Sequence, residues 1–146
     1  MKITYKGDYA LKAMLDLAIH YGNGVVTIHE LANRADVPIK FLEQVLLDLK
    51  KGGFVESRRG KIGGYRLARQ PSDIKLGEVI RFMDGPIEPI ACVEKGYAGC
   101  SDLYRCVFKK IWQEGAFTTS AIVDTITFED LANQVRNGKE AYSYQI

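Results

Sequence analysis

Apolar residues in the first fifty positions recur every three or four residues, which is the spacing of one face of an α-helix. This pattern predicts a first helix over residues 8–21, with Asp8 as its N-cap and glycines at its end. A second predicted helix opens at Thr27, whose hydroxyl forms a capping box with Glu30 three residues later. A third predicted helix runs over about 38–51. Its inward-facing positions are predicted to be Phe41, Leu42, Val45, Leu46 and Leu49.

The second and third helices, about 27–51, are predicted to form a helix-turn-helix, in which the later helix enters a major groove. The pattern then changes to a period of two on either side of a glycine-rich turn, which predicts a β-hairpin over about 54–68. A hairpin placed directly after a recognition helix is a wing. A fourth helix, marked by Leu76 and Met83, completes a predicted DNA-binding head over residues 1–84.

The second half of the chain begins with a cysteine-containing loop over residues 85–101. A long helix is predicted over about 101–124, and a shorter last helix over about 127–135. Residues 138–146 are predicted to form a loose tail. The predicted fold class is mostly α: one compact domain with a winged helix-turn-helix, a short β-hairpin wing and an additional long helix.

The net charge of +2 hides a local excess of positive charge. Residues 50–69 hold seven basic residues and one acid, Glu56. Such a cluster beside a helix-turn-helix predicts contact with DNA phosphates, and a solvated charged face is the alternative.

The sequence also disfavours several classes of protein. The N-terminus is too polar for a signal peptide, and the best apolar run, residues 13–19, is broken by Asp16 and is too short to cross a membrane. The two histidines, His20 and His29, lie outside any catalytic grouping with serine, aspartate or cysteine. We therefore expect a cytoplasmic protein that is not an enzyme, with no membrane association and no small-molecule substrate.

Cys92, Cys100 and Cys106 are the only cysteines in the chain. Any set of internal disulfides would leave one thiol over, so reduced intracellular ligands are favoured. Thiolates suit an iron–sulfur cluster or zinc, but structural zinc favours closer cysteine pairs and four protein ligands. Inert buried thiols are the remaining alternative, although the surrounding loop is too polar for a core. We therefore expect the three cysteines to bind an iron–sulfur cluster.

Three side chains on the outer face of the third helix are candidates for DNA contact. Lys40, in the first turn, is placed to meet a phosphate. Glu43 can accept a hydrogen bond from cytosine, and Gln44 can form two hydrogen bonds with adenine. The alternative is that Glu43 and Gln44 are solvated polar residues.

The wing supplies a second set of candidates. Arg59 at its tip can enter a minor groove narrowed by A·T pairs. Gly60, Gly63 and Gly64 are expected to allow positive φ angles and a close approach to the backbone, and Tyr65 is expected to pack beneath the wing. The predicted DNA-contacting residues of the wing are Arg58, Arg59, Gly60 and Lys61.

Four stretches, GDYALKA, FLEQ, RRGKIGGY and LGEVI, occur in order at residues 7–13, 41–44, 58–65 and 76–80. With this ordered set the chain closely resembles the winged-helix regulators that include IscR, NsrR and CymR, from its start to about residue 135. The resemblance implies a homodimeric transcriptional regulator that binds a double-stranded DNA operator. It also implies that the helices within residues 101–137, chiefly the long helix, form the dimer interface.

The three cysteines bring the chain nearer to cluster-binding members, such as IscR and NsrR, than to CymR-like members that lack this set. The resemblance to IscR implies a 2Fe–2S cluster held by three thiolates and one other ligand. IscR-like proteins of some bacteria supply a histidine three residues after the third cysteine, where this chain has Lys109, which cannot ligate while charged. NsrR-like relatives hold a 4Fe–4S cluster with an aspartate of the partner subunit, and Asp8 lies at the matching place.

The resemblance implies a repressor or dual regulator that senses iron–sulfur cluster status and controls cluster biogenesis genes. A nitric-oxide or redox sensor with a 4Fe–4S cluster is the alternative within the same class. A small electron carrier is disfavoured, because ferredoxins normally supply four cysteines and need no basic wing. The resemblance to IscR further implies that Glu43 links the cluster state to the choice of DNA sequence.

Overall fold

The computed structural model describes residues 1–99 and 106–141. The described chain consists of six helices, a two-stranded antiparallel sheet and two 3₁₀ turns, at Pro71–Asp73 and Ala91–Val93. In chain order the elements are α1 Tyr5–Ile19, α2 Ile28–Ala35, α3 Ile39–Lys51, β1 Val55–Arg58, β2 Gly64–Leu67, α4 Leu76–Asp84, α5 Lys109–Val123 and α6 Phe128–Ala141. The predicted fold class, mostly α with a winged helix-turn-helix, is confirmed.

α1 begins earlier than predicted, at Tyr5, and its N-cap is Thr4. The Thr4 hydroxyl accepts a hydrogen bond from the Gly7 N–H at 3.0 Å, which satisfies a donor that the first helical turn leaves free. The prediction of Asp8 as the N-cap is therefore wrong. Asp8 lies inside the first turn and pairs with Lys12 at 2.9 Å. This turn exposes most of its side chains, so the apolar pattern does not reveal where the helix begins.

The helix-turn-helix contains the predicted capping box. The Glu30 N–H donates to Thr27 Oγ1 at 3.2 Å, and the Thr27 N–H donates to the Glu30 carboxylate at 3.0 Å. α2 ends at Ala35 and is capped by Asp36, whose φ of +54° lies in the left-handed region that aspartate tolerates better than most residues. Pro38 then serves as the N-cap of α3. Residues 36–38 thus form the short turn that orients α3.

α3 buries four of its five predicted inward positions. The fifth, Phe41, is 48% exposed, so its assignment to the core is wrong. It lies about 90° around the helix from the centre of the buried stripe and contacts the Tyr9 ring at 6.1 Å between centroids. The buried stripe consists of Leu42, Val45, Leu46 and Leu49.

α1 is the central element of the head and contacts α2, α3, α4 and α6. Its buried residues include Ala10 and Ala13, whose small side chains let neighbouring helices approach closely. α6 returns to this core and buries Phe128 and Ala132 in it. The last helix therefore packs into the same hydrophobic core as α1.

α5 begins at Lys109, later than the predicted start near residue 101. Residues 100–105 lie outside the described residues. Val107 and Phe108 precede the helix and are exposed, so they do not continue a buried stripe. The apolar periodicity counted them as helical because it cannot distinguish an exposed loop from an amphipathic turn.

α6 continues to Ala141, past its predicted end near residue 135. The predicted loose tail begins at 138, but residues 138–141 belong to α6, and the rest of that tail lies outside the described residues. The last turns of α6 are polar, so no apolar stripe marks them. Within the described ranges, no helix combines the length and hydrophobicity that crossing a membrane requires.

Candidate nucleic-acid interface and cysteine site

The outer face of α3 presents Lys40, Glu43 and Gln44 to solvent. The ammonium nitrogen of Lys40 lies 4.9 Å from the centre of the Phe41 ring. The Gln44 amide donates to Asp48 Oδ1 at 3.2 Å, one turn further along α3. The three predicted contact residues therefore share one exposed face, and an acidic neighbour orients the amide of one of them.

Asp48 also joins α3 to α1, a role that the sequence did not indicate. Its carboxylate lies 2.5 Å from the ammonium nitrogen of Lys6, and 17% of its side-chain surface is exposed. The hydrogen bond from Lys6 holds the pKa of Asp48 below its usual range. Asp48 is therefore charged at neutral pH, and it fixes α3 relative to the first turn of α1.

A row of three aromatic rings lies between the start of α1 and α3. The centroids of Tyr5 and Tyr9 are 6.3 Å apart, and Phe41 continues the row. Together with Val45 these rings line an apolar groove beside the recognition helix. The sequence does not predict this surface, because the spacing of Phe41 matches that of a core residue.

The wing is the antiparallel pair of β1 and β2, whose pairing ends at Arg58 opposite Gly64. Residues 59–63 form the loop at its tip. Glu56 and Arg66 pair across the strands at 2.5 Å, so this acid is already neutralised. The exposed residues at the tip include the four predicted contacts, Arg58, Arg59, Gly60 and Lys61.

The base of the wing is anchored to the residue that precedes the helix-turn-helix. The backbones of Val26 and Tyr65 exchange two hydrogen bonds, each of 2.8 Å. A Cβ atom at Gly64 would overlap the carbonyl of Val26, so only glycine fits there. Of the three glycines expected to take positive φ angles, Gly60 alone does so, at +138°. Gly63 and Gly64 are needed instead for close backbone contacts.

Two of the three cysteines fall within the described residues. Cys92 lies in the Ala91–Val93 turn, and Cys106 lies three residues before α5 begins. Both are partly exposed, so neither thiol lies in the hydrophobic core. The Ala91–Val93 turn packs against α5, which places Cys92 beside the helix that Cys106 precedes. Cys100 is outside the described residues.

The thiols of Cys92 and Cys106 fit an iron–sulfur cluster, because accessible thiols are the ligands that such clusters take. Among residues 1–99 and 106–141, no three His, Cys, Asp or Glu side chains converge closely enough to hold a metal ion. Lys109 is the first residue of α5 and supplies no ligand in its charged form. Asp8 has 46% of its side-chain surface exposed, so it is accessible to another subunit.

The cysteine loop follows α4, and the end of α4 is held against the start of α1. Asp84, the last residue of α4, accepts hydrogen bonds from the Thr4 N–H at 3.2 Å and from the Thr4 hydroxyl at 2.5 Å. A Cβ atom at Gly7 would overlap the Asp84 carboxylate, so α1 and α4 meet without space between them. The sequence did not reveal this contact, because its partners are eighty residues apart.

A second contact joins α4 to the end of α5. Two guanidinium nitrogens of Arg81 donate to the Asp124 carboxylate at 2.5 and 2.9 Å. The hydrogen bonding raises the pKa of Arg81 and lowers the pKa of Asp124. Arg81 and Asp124 therefore hold together the two ends of the segment that contains the cysteine loop and α5.

α5 exposes an unusual amount of apolar surface. Val123 is its one buried residue. A surface helix of a monomer normally keeps one polar face, whereas large apolar side chains are exposed along the whole of α5 and just before it. These residues are Val107, Phe108, Ile111, Trp112, Phe117 and Ile122.

Comparisons with known proteins agree with this architecture. The family model described as "Rrf2: Iron-dependent Transcriptional regulator" matches residues 3–134. An HTH-type rrf2-like transcriptional regulator of Rhodobacter capsulatus is 40% identical over 136 residues, covering 88% of this chain and 91% of that protein. The HTH-type transcriptional regulator IscR of Aliivibrio salmonicida is 37% identical over 131 residues, covering 90% of this chain and 77% of that protein.

Solved structures of two regulators superpose on this fold. CymR, the global cysteine regulator of B. subtilis, superposes with a TM-score of 0.76 at 32% identity, over 91% of this chain and 97% of that one. IscR of T. potens superposes with a TM-score of 0.70 at 33% identity, over 100% of this chain and 92% of that one. The expected resemblance to the group that includes IscR and CymR is therefore confirmed.

Proposed function

The chain belongs to the Rrf2 family of transcriptional regulators, and from this premise we propose that it works as a homodimer whose DNA binding responds to an iron–sulfur cluster held by Cys92, Cys100 and Cys106. As a member of this family it is a DNA-binding regulator and not an enzyme. The proposal adds the cofactor, the dimer and the residues through which each acts.

One observation carries the proposal. The turn that contains Cys92 packs against α5, and Cys106 directly precedes α5. α5 is also the helix with the exposed apolar side chains. The turn that contains Cys92 therefore touches the candidate dimer helix directly, and this contact is the route by which a change at the thiols would reach the interface.

The homodimer is supported by the surface of α5. An extended apolar face is costly in water, and a second copy of the same helix would bury it. A two-fold interface is self-complementary, so one helix can serve both subunits. The two heads would then present two α3 helices to DNA half-sites about one helical turn apart.

The DNA interface follows from the exposed residues of α3 and the wing. Lys40 binds a phosphate, while Glu43 and Gln44 read base edges in the major groove. The cations of the wing tip contact phosphates and the adjacent minor groove. Gly60, with no side chain, lets the wing backbone approach the DNA closely. The tip cations are Arg58, Arg59 and Lys61.

A cluster bound to the three thiolates would supply iron–sulfur bonds that tie the cysteine segments together. The resemblance to IscR favours a 2Fe–2S cluster held by three thiolates and one other ligand. The family's description as iron-dependent favours iron over zinc. The function is then to match the expression of cluster biogenesis genes to the supply of clusters. The chain would act as a repressor or a dual regulator.

Anaerobic purification followed by iron and sulfide analysis and Mössbauer spectroscopy tests the cofactor. We expect about two iron and two sulfide per chain, as a 2Fe–2S cluster requires. Replacing Cys92, Cys100 or Cys106 singly with Ala should abolish visible absorption while the helical circular dichroism and the dimer remain. Full iron content in any single variant would remove that cysteine from the site, and zinc without sulfide would overturn the cluster itself.

A second candidate, a nitric-oxide or redox sensor with a 4Fe–4S cluster, is favoured by one observation. The helix-capping role expected of Asp8 belongs to Thr4, which leaves the Asp8 carboxylate exposed. The partner subunit's Asp8 would then be the fourth ligand. About four iron per chain, together with a changed Mössbauer spectrum in Asp8→Asn, would establish this alternative over the 2Fe–2S proposal.

A further inference from the structure

An isoleucine stands at the tip of the wing. Ile62 lies in the loop 59–63, between the ends of β1 and β2. It exposes 79% of its surface, slightly more than Phe117 on the candidate dimer helix at 77%. A single exposed apolar residue is ordinary on a protein surface, so exposure alone assigns Ile62 no role. The backbone geometry of the loop and the charges around Ile62 indicate a role.

The backbone around Ile62 holds a tight loop. Gly60 has a φ of +138°, which favours glycine. A Cβ atom at Gly63 would lie 2.9 Å from the Arg58 carbonyl oxygen, so the chain folds back closely at that point. Lys61 and Ile62 therefore form the turn at the end of this tight loop, and both are exposed.

The charges at the wing tip indicate which kind of partner binds there. Arg58, Arg59 and Lys61 are exposed and have no ion-pair partner in the part of the chain that the structure describes. Glu56, the nearest acid in the sequence, is engaged by Arg66. A second copy of this chain would bring the same three cations to the contact, and like charges repel across an interface. A polyanion attracts this tip and is the occupant that its chemistry fits.

We propose that Ile62 is an apolar wedge that enters the DNA minor groove beside Arg59. This inference rests on the proposed DNA-binding mode of the wing and extends it. Apolar side chains inserted into a minor groove partly unstack a base step and bend the duplex. Pyrimidine–purine steps deform most easily, so Ile62 makes the protein prefer operators with such a step beneath the wing. Specificity then arises at a position where no hydrogen bond is made.

Measurements of equilibrium DNA affinity distinguish an apolar contact by Ile62 from phosphate contacts by the neighbouring cations. The probe is a duplex of about 30 base pairs, selected by the wild-type protein from random-sequence DNA, which spans two half-sites and their flanks. Ile62→Ser should bind about fivefold more weakly with an unchanged salt dependence, because an apolar contact releases no counterions. Lys61→Gln should lower the slope of log affinity against log salt by about one. Ile62→Leu should keep wild-type affinity, and so should Val135→Ser, which removes an exposed apolar side chain from α6.

Two further measurements test the mechanism. Energy transfer between dyes at the duplex ends should report a smaller bend with Ile62→Ser than with wild type. Changing a TA step beneath the wing to AA should weaken wild-type binding severalfold and Ile62→Ser binding much less. Arg59 is present in both proteins, so its own groove preference cancels in this comparison.

The outcomes distinguish the wedge from the proposed function. If Ile62→Ser binds and bends DNA like wild type while Lys40→Ala and Arg59→Ala lose affinity, the wedge is wrong and the DNA interface stands. If no duplex is selected, or if Lys40→Ala and Arg59→Ala bind like wild type, the proposed interface itself fails. A change in the dimer equilibrium of Ile62→Ser without a change in DNA binding would also overturn the wedge.

Discussion

Gly64 joins the wing to the helix-turn-helix at a place where no side chain fits, because a Cβ atom there would overlap the Val26 carbonyl. We expect Gly64→Ala to lower the free energy of unfolding by about 1–3 kcal/mol, because the two backbones must separate and strain the adjacent hydrogen bonds. Urea unfolding measures this loss. Gly138→Ala is the matched control, since nothing lies within 4 Å of its Cβ position in α6. It should leave the stability unchanged or raise it by up to about 1 kcal/mol. Equal stability of Gly64→Ala and wild type would show that the wing is not held at this point.

The residues that could be predicted from the sequence are those whose partners are close in the chain. The capping box of Thr27 and Glu30 is an example, because both hydrogen bonds span three residues. The contact of Thr4 with Asp84 could not be predicted, because it depends on how α1 and α4 pack. The positive φ expected at Gly64 was wrong. That Val26 is the partner which leaves no room for a side chain there could not be predicted, because Val26 is distant in the chain.

At the scale of elements, the pair of Arg81 and Asp124 fastens α4 to the end of α5. The hydrogen bonds from Arg81 lower the pKa of Asp124. A lowered folded-state pKa stabilises the fold above the unfolded pKa of about 3.9, and this contribution is lost as the pH falls through the folded value. We expect Asp124→Asn to reduce the free energy of unfolding by up to about 1 kcal/mol at pH 7, since both side chains are partly exposed.

Urea unfolding from pH 7 down to about pH 3 tests this pair, because that range covers the ordinary titration of a carboxylate. The curves of Asp124→Asn and wild type should converge at the acid end. Glu114→Gln is the matched control, because Glu114 is exposed on α5, the helix that Asp124 caps, and has no ion-pair partner within residues 1–99 and 106–141. A difference between Asp124→Asn and wild type that stays constant with pH would assign the loss to packing rather than charge.

Elements marked by one buried stripe, or by two short strands around a glycine-rich turn, were predicted well, and elements without either signal were not. α3 and the wing have clear patterns, and their bounds agree with the prediction within a few residues. α5 has apolar side chains around most of its surface, so its pattern could not show that the helix begins only at Lys109. α6 is polar in its last turns, and its continuation to Ala141 left no apolar signal.

At the scale of the whole molecule, a chain of contacts leads from the cysteine loop to the recognition helix. Asp84, where the loop begins, holds Thr4 at the start of α1. Lys6, in the first turn of α1, pairs with Asp48 on α3. The sequence predicted a head and a cysteine loop as separate regions, but it could not predict this connection, because each contact joins residues distant in the chain. Contacts alone do not establish energetic coupling, which needs a measurement in two states.

The measurement compares operator preference with and without the cluster. If the loop moves α1 and α3, the position of Glu43 over the bases changes with cluster state. A carboxylate near phosphates is unfavourable unless a cytosine amino group meets it, so Glu43 should penalise operators that do not offer one. We therefore expect cluster-free and cluster-bound protein to rank a panel of operator variants differently, and Glu43→Ala to rank them alike in both states. Gln44→Ala is the control: it should weaken adenine-containing sites by about 1–3 kcal/mol in both states and keep the difference between them. Identical rankings for cluster-free and cluster-bound wild-type protein would show that the cluster does not act through Glu43, even where it changes the overall affinity.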